Sequence, residues 1–246
     1  EWLREKGMAA SAKKAGRIAA EGMAYAAVID SVGVVVEVNA ETDFVGKNEK
    51  FVDFVKGVAA TVAKEAPADL DALMECKYVG TDLTVTQQQQ EMVLVIGENI
   101  KVRRFARFAE NVSVPYVHAG GKIGVLVNLE SDLPAEKVEE IGKDVAMQIA
   151  AASPLAVSAE GLNPEVVEHE REVYRQKARE EGKPEQIIEK IAEGAVKKFC
   201  KDVCLLDQLY IRDDKMTISD LIKGAAKTIG EPITVVRFVR IQLGAE

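Results

Sequence analysis

Cysteine and histidine are scarce in this sequence, which argues against disulfide bonds and metal sites. The 246 residues include three cysteines, Cys76, Cys200 and Cys204, and two histidines, His118 and His169. An odd and sparse set of cysteines is typical of a reducing cytoplasm. Cys200 and Cys204 lie four residues apart on a predicted helix, but no nearby histidine or third cysteine completes a zinc site. We therefore expect a cytoplasmic protein with buried or half-buried thiols and no bound metal.

Aromatic residues and long apolar runs are also few. Aromatics make up 5% of the chain, so Val, Ile, Leu and Ala are expected to fill the core. No segment approaches the roughly 18 uninterrupted apolar residues that cross a membrane. The N-terminal stretch EWLREKGMAASAKKAG is charged and helix-like, unlike a signal peptide. No membrane association is predicted.

Positive charge is in deficit: 32 Lys and Arg stand against 40 Asp and Glu, for a formal net charge of −8. Phosphate backbones attract clustered Lys and Arg, so this balance argues against nucleic-acid binding. The densest basic stretch consists of Lys101, Arg103, Arg104 and Arg107. We interpret it as a solvated face of a sheet. The RNA-binding alternative requires the three arginines to be exposed on one face.

Motifs of catalytic and nucleotide-binding sites are missing as well. The sequence has no G-x-x-x-x-G-K-[ST] phosphate loop, no G-x-G-x-x-G and no G-x-S-x-G elbow. The stretch HAGGKIG, from His118 to Gly124, lacks their spacing and is typical of a hairpin turn. Glu41 and Asp43 form a paired-carboxylate candidate, but capping of the next helix explains them equally well. An enzyme is not predicted, and that alternative needs Glu41, Asp43 and His118 to converge on one cleft.

Two pairs of self-similar segments predict a duplicated fold. GVVVEVNAETDFVG (33–46) resembles GVLVNLESDLPA (124–135) with a two-residue gap, and GENIKVRRFAR (97–107) matches GEPITVVRFVR (230–240) without one. The pairs occur in the same order along the chain. The sequence therefore predicts an α+β fold of two related subdomains, each a small antiparallel sheet with packed helices.

The domain boundaries follow from these repeats. A linker helix is expected over 1–22 and should end near Gly22. The first subdomain is expected over 23–112 and the second over 113–246. The second contains an insertion at 163–204, where two helical stretches are broken at EGKP (181–184). Narrow apolar stripes and wide charged faces favour a coiled-coil hairpin that projects from the body. Two helices packed flat on the sheet are the alternative.

The stretch NAETDFVGKNEKF, from Asn39 to Phe51, places a large apolar ring on a polar turn. It follows a predicted strand, and Asn48 is a candidate cap for the next helix. Considered alone, these residues favour Phe44 folding back onto that helix as a hydrophobic staple.

Several stretches together resemble the elongation factor Ts family, the nucleotide exchange factors of elongation factor Tu. EVNAETDFVGKN (37–48) is similar to that family's signature turn, and IGENIKVRR (96–104) to a second signature. YVHAGGKIGVLV (116–127) resembles a turn and strand of its C-terminal half, and EGKPEQIIEKIAEGAVKKF (181–199) the tip and return helix of its hairpin. LREKG and AKKAGRIAAEG (within 3–22) resemble its linker. The resemblance spans essentially the whole chain.

The chain departs from the family pattern at both ends. The family begins with a small three-helix domain, of which only the exit at 1–7 is expected here. A C-terminal helical module found in some members is also missing after the final strand, which ends close to Glu246. We therefore expect a fragment of a longer protein.

The resemblance implies a role for the Thr-Asp-Phe-Val turn, which here is Thr42, Asp43, Phe44 and Val45. The turn would enter the G domain of elongation factor Tu near the bound Mg²⁺ and nucleotide. Phe44 would wedge between two partner helices, and Asp43 would hold the turn or bond to partner backbone.

Further contacts are implied by the same resemblance. Ile96 and Gly97 match positions that touch the G domain, and His118 matches a position that touches elongation factor Tu elsewhere. The factor would need no cofactor and perform no covalent chemistry. A protein-binding scaffold without exchange activity is the alternative. The sequence leaves open whether the hairpin contacts elongation factor Tu or pairs with a second copy to form a dimer.

Overall fold

Two three-stranded antiparallel sheets pack face to face in the structure, a computed structural model that describes residues 1–246. The first sheet consists, in spatial order, of β1 (Glu21–Ile29), β2 (Val32–Ala40) and β3 (Lys101–Phe108). The second consists of β4 (Val112–His118), β5 (Ile123–Glu130) and β8 (Thr234–Gln242). A separate two-stranded ladder joins β6 (Leu209–Tyr210) and β7 (Asp213–Thr217).

Small and branched apolar side chains make the contact between the sheets. Ala24 and Val35 of the first sheet belong to one buried cluster with Leu126 of the second. Gly33 and Gly124, the matched glycines of the repeat, lie at this contact. A Cβ on Gly33 would come within 2.4 Å of Ser113 Oγ, and one on Gly124 within 3.3 Å of Val35 Cγ2. The close approach of the sheets therefore depends on glycine at Gly33 in particular.

Helices accompany each sheet. The first half has α1 (Trp2–Lys14), α2 (Glu49–Glu65), α3 (Leu70–Glu75) and α4 (Val85–Ile96). The second has α5 (Ala135–Ala152), α6 (Pro164–Glu180), α7 (Glu185–Val203) and α8 (Ile218–Ile229). The apolar stripe of α2 is buried in the first core at Phe51, Phe54, Val55, Val58 and Val62. None of the helices combines the length and apolar character that a membrane span needs.

The predicted α+β duplication is confirmed in detail. Capping boxes at Thr84 and Thr217 start α4 and α8. Each of these helices ends at a left-handed glycine, Gly97 or Gly230, which leads into the last strand of its half. In both sheets the register shifts at matched positions, between residues 37 and 38 and between residues 128 and 129. The two halves thus share their local geometry as well as their element order.

The insertion forms a helical hairpin, as predicted. α6 packs on α7 across a four-residue turn, and Ile188, Ala192 and Val196 of α7 are buried. Arg175 of α6 also forms an ion pair with Glu189 of α7 at 2.6 Å, on the surface of the hairpin. The outer faces remain exposed.

The linker helix is shorter than predicted. α1 ends at Lys14 rather than near Gly22, which instead lies inside β1 with a φ of +117°. After α1 the chain turns at residues 15–17, and the Arg17 carbonyl accepts a 2.8 Å hydrogen bond from Asn99 Nδ2. α3, β6, β7 and α8 were not predicted from the sequence pattern.

The arginines of β3 are half-buried, and two of them compensate a buried carboxylate, so the predicted solvated sheet face is confirmed only in part. Glu37 is fully buried and accepts from Arg104 Nε at 2.7 Å and Arg103 Nη1 at 3.2 Å. It also accepts from the Gly244 N–H at 2.8 Å, which attaches the C-terminal segment to the first sheet. Arg107 donates to the Ala63 carbonyl at 3.0 Å. The guanidinium groups of these side chains are hydrogen-bonded to partners within the chain, which also weakens the RNA-binding alternative.

Replacing the buried carboxylate should destabilise the fold. We expect Glu37→Ala to lower the free energy of unfolding by about 3 kcal/mol, because two arginines and a backbone N–H lose a buried charged partner. Urea denaturation measures this change. The matched control is Glu139→Ala, which removes an exposed i,i+4 pair with Lys143 and should change stability by less than about 0.5 kcal/mol. Equal effects of the two substitutions would contradict this role of Glu37.

Candidate partner-binding site

The turn between β2 and α2 is fixed at both ends. β2 stops at Ala40, and a short 3₁₀ helix covers Val45–Lys47. Asn48 then caps α2, because its Oδ1 accepts from the backbone N–H of Lys50 at 2.9 Å and of Phe51 at 3.3 Å. The predicted cap is confirmed. Only residues 41–44 lie outside regular secondary structure between β2 and the 3₁₀ helix.

Adjacent side chains of this turn point in opposite directions. Val45 is 6% exposed and belongs to the first core, whereas Phe44 is 81% exposed. The hydrophobic staple expected for Phe44 from residues alone is therefore wrong, since Val45 occupies the buried position. Gly46 permits the close packing below the turn: a Cβ there would come within 2.7 Å of the Gly22 carbonyl oxygen.

Two carboxylates connect this turn to the loop after α4 through hydrogen bonds. Glu98 accepts from the N–H of Glu41 at 3.0 Å, the N–H of Thr42 at 3.1 Å and the hydroxyl of Thr42 at 2.7 Å. In return, Glu41 accepts from the Asn99 N–H at 2.7 Å and from Arg17 at 3.4 Å. We call these bonds the carboxylate clamp of Glu41 and Glu98.

The clamp explains the charge state of Glu41. The bond from the Asn99 N–H lowers the pKa of the Glu41 carboxyl below its usual value, and the charge and hydrogen bond of Arg17 act in the same direction against partial burial. A carboxylate held ionised in this way is a poor proton donor at neutral pH. Its geometry is that of a structural acceptor.

A cleft lies beside the turn. Phe44 and Val45 line it together with Val95 and Ile96 from the end of α4. Val95 is 56% exposed, so the cleft adds apolar surface to that of Phe44. Gly97 ends α4 with a φ of +84°, a conformation that favours glycine. The structure thus brings Ile96 and Gly97 next to the turn.

His118 lies apart from this cleft, at the end of β4 in the second half. It is exposed, and its Nδ1 is 2.9 Å from the hydroxyl of Tyr116. Neither His118, Asp43 nor Glu41 lines the cleft beside Phe44. The convergence that the enzyme alternative required is therefore not found there. No group of His, Cys, Asp and Glu side chains is arranged to hold a metal ion.

Comparisons with known proteins address the identity of the chain. A family model described as "Elongation factor TS" matches residues 41–245. Elongation factor Ts of Syntrophotalea carbinolica is 47% identical over 245 residues, which cover 98% of this chain and 81% of the relative. That of Desulfovibrio desulfuricans is 46% identical over 256 residues, or 100% of this chain and 87% of the relative.

The chain belongs to the elongation factor Ts family. The resemblance drawn from the motifs is thereby confirmed, and the protein is a translation elongation factor. The matched region begins at Glu41 and includes the turn, Ile96, Gly97 and His118.

The sequence did not reveal the clamp that supports the candidate site of this elongation factor Ts. Glu98 stands in the recognised IGEN motif, but its partner Thr42 is 56 positions away in the chain. Asn99 and Arg17 are likewise brought in by tertiary structure. One available signal was an acidic residue directly after a helix-ending glycine, and that pattern does not indicate which backbone groups it binds.

The pKa of Glu41 provides a test of the clamp in the free protein. Arg17→Ala should raise the Glu41 pKa only part of the way to the ordinary value of 4.5, because the Asn99 N–H is the larger cause of its depression. The stabilisation from Glu41 is present above its unfolded pKa and is lost as the pH falls through the lower folded pKa.

A carboxyl-detected NMR titration measures this value. The control is Arg4→Ala, which removes a long 3.9 Å pair with Glu1 on α1 and should leave Glu41 unchanged. A Glu41 pKa that reached 4.5 in Arg17→Ala would show that the Asn99 bond does not act as described.

Proposed function

We propose that this chain is a guanine nucleotide exchange factor of the cytoplasm. It binds elongation factor Tu loaded with GDP and promotes GDP release, so that GTP can bind, without a cofactor and without covalent chemistry. The observation that carries the proposal is Phe44, an aromatic side chain that is 81% exposed on a turn fixed at both ends.

The duplicated half supports a binding role for Phe44. Leu133 follows Asp132 as Phe44 follows Asp43, and Leu133 packs against the core of its own half. The fold can therefore bury the apolar residue at this position of the turn. Exposing Phe44 instead leaves apolar surface whose burial in a partner is worth about 1.5–3 kcal/mol.

The exchange reaction follows from what holds the nucleotide. In a GTPase, GDP is bound by backbone N–H groups, a lysine and Mg²⁺. Phe44 wedges between two helices of the G domain and shifts these groups, while Asp43 offers its exposed carboxylate to partner N–H groups. Each charge-assisted hydrogen bond lost removes about 1.5–3 kcal/mol. Two or three such losses accelerate release by several orders of magnitude, at tenfold per about 1.4 kcal/mol.

Release of the factor obeys the same energetics. A factor that weakens GDP binding must itself be weakened by nucleotide to the same extent, because the coupling free energy is shared. Incoming GTP therefore displaces the chain. The factor acts by preferring the nucleotide-free state, and it needs no catalytic acid or base.

Two further contacts accompany the wedge. Ile96 and Gly97 stand beside the turn and meet the same G domain, with Val95 adding exposed apolar area. His118, with its ring oriented by Tyr116, contacts elongation factor Tu away from the nucleotide. Only the surface formed by the turn with Ile96 and Gly97 weakens GDP binding, and the His118 contact does not.

The proposal predicts that Phe44→Ala separates exchange from stability. Truncating a central aromatic anchor costs about 2 kcal/mol or more of partner interaction, which corresponds to a loss of roughly thirtyfold. Stability should change by less than about 0.5 kcal/mol, since the side chain is exposed. The measurement is release of a fluorescent GDP analogue from elongation factor Tu, alongside urea denaturation.

Leu133→Ala is the matched control from the repeated turn. It should destabilise the chain by about 1–3 kcal/mol because Leu133 packs on a core, and it should leave exchange by the folded protein unchanged. If Phe44→Ala exchanged nucleotide as well as the unmodified chain, the wedge would be contradicted. If the unmodified chain bound elongation factor Tu without releasing GDP, the scaffold alternative would replace the proposal.

A further inference from the structure

We infer that Glu98 is a positioning residue for Phe44: its carboxylate holds the backbone before the wedge in the conformation that the partner binds. This inference rests on the proposed exchange function and adds a residue to it. In this inference Glu98 does not contact the nucleotide and has no catalytic role. It acts through Thr42, two residues before Phe44.

Glu98 satisfies backbone N–H groups that have no backbone acceptor. The N–H groups of Glu41 and Thr42 follow the end of β2 and bond to no backbone carbonyl. Both donate to Glu98 Oε2, at 3.0 and 3.1 Å, while the Thr42 hydroxyl donates to Oε1 at 2.7 Å. Removing this carboxylate leaves the start of the turn without its internal partner.

The clamp joins the two segments that form one surface. Glu98 lies two residues after Ile96, and Glu41 returns the contact by accepting from the Asn99 N–H at 2.7 Å. The turn with Phe44 and the loop with Ile96 and Gly97 are therefore held in a fixed relation. Such pre-organisation lowers the ordering entropy that binding would otherwise have to overcome.

The duplicated half lacks the clamp. Glu231 matches Glu98, yet it is exposed and its carboxylate forms no hydrogen bond or ion pair. Pro232 matches Asn99 and has no N–H to donate. The second half folds on the same plan without these bonds. The clamp thus occurs in the half whose turn exposes an aromatic side chain, and the fold as such does not need it.

The chemistry of the clamp distinguishes two substitutions. Glu98→Ala removes every acceptor. Glu98→Gln keeps a carbonyl oxygen that can accept from both N–H groups, and its amide can donate to the Thr42 hydroxyl, which is also an acceptor. The amide should therefore restore most of the function if the role is positional.

The experiment measures GDP release from elongation factor Tu over a range of factor concentrations, together with hydrogen exchange of the Thr42 amide in the free chain. For Glu98→Ala we expect the half-saturating concentration to rise about tenfold, because the binding-competent turn is less populated. The maximal rate should remain within about twofold, and Thr42 protection should fall about tenfold, in step with that population. Glu98→Gln should lie within about threefold of the unmodified chain in all three. Glu231→Ala is the control and should change none.

Three results would overturn the inference. One is a Glu98→Ala variant that behaves like Glu231→Ala. Another is a loss of exchange with Thr42 protection unchanged, which would mean that Glu98 touches the partner directly. The third is a fall in maximal rate with no change in half-saturation. If the unmodified chain fails to release GDP, the proposed function is at fault, and the Thr42 measurement still decides whether Glu98 holds the turn.

Discussion

The face-to-face packing of the two sheets is the contact on which the rest of the molecule depends. Branched and small side chains such as Val35, Ala24 and Leu126 meet there, and Gly33 and Gly124 leave room for the approach. With one face of each sheet used in this way, helices pack on the other. Dense apolar packing supplies most of the driving force, while Glu37 ties the C-terminal segment to the first sheet.

The duplicated halves share a frame and differ at the places that matter for function. Each half has a Val-rich central strand followed by a long helix, α2 or α5. Each half ends with a helix that starts at a capping box, α4 or α8, and the strand after it. The first half turns its apolar residue outward at Phe44 and stiffens the turn with Glu41 and Glu98. The second half packs Leu133 inward and carries the helical hairpin instead.

Local patterns were sufficient for much of this architecture. The Asn48 cap and the break before Pro184 are each determined by neighbouring residues, so the sequence predicted them. The repeats then predicted the two sheets, because matched segments must have matched partners.

Contacts between distant segments were not predictable in this way. Distant residues meet where the Arg17 carbonyl accepts from Asn99, and where Arg104 of β3 donates to the buried Glu37. Neither contact produces a periodic pattern of residues in the sequence from which it could be predicted. Residues alone also gave the wrong orientation for Phe44, because Val45 takes the buried position that a staple would fill. In each case tertiary contacts decided what local preference left undetermined.

The most direct test of the account is the thermodynamic coupling between nucleotide and factor on elongation factor Tu. Titration calorimetry gives the affinity of this chain for elongation factor Tu with and without GDP, for the unmodified chain and for Phe44→Ala. The account predicts that GDP weakens binding of the unmodified chain by about a hundredfold, and that Phe44→Ala reduces this coupling factor roughly thirtyfold. Equal affinity of the unmodified chain with and without GDP, or undiminished coupling in Phe44→Ala, would contradict it.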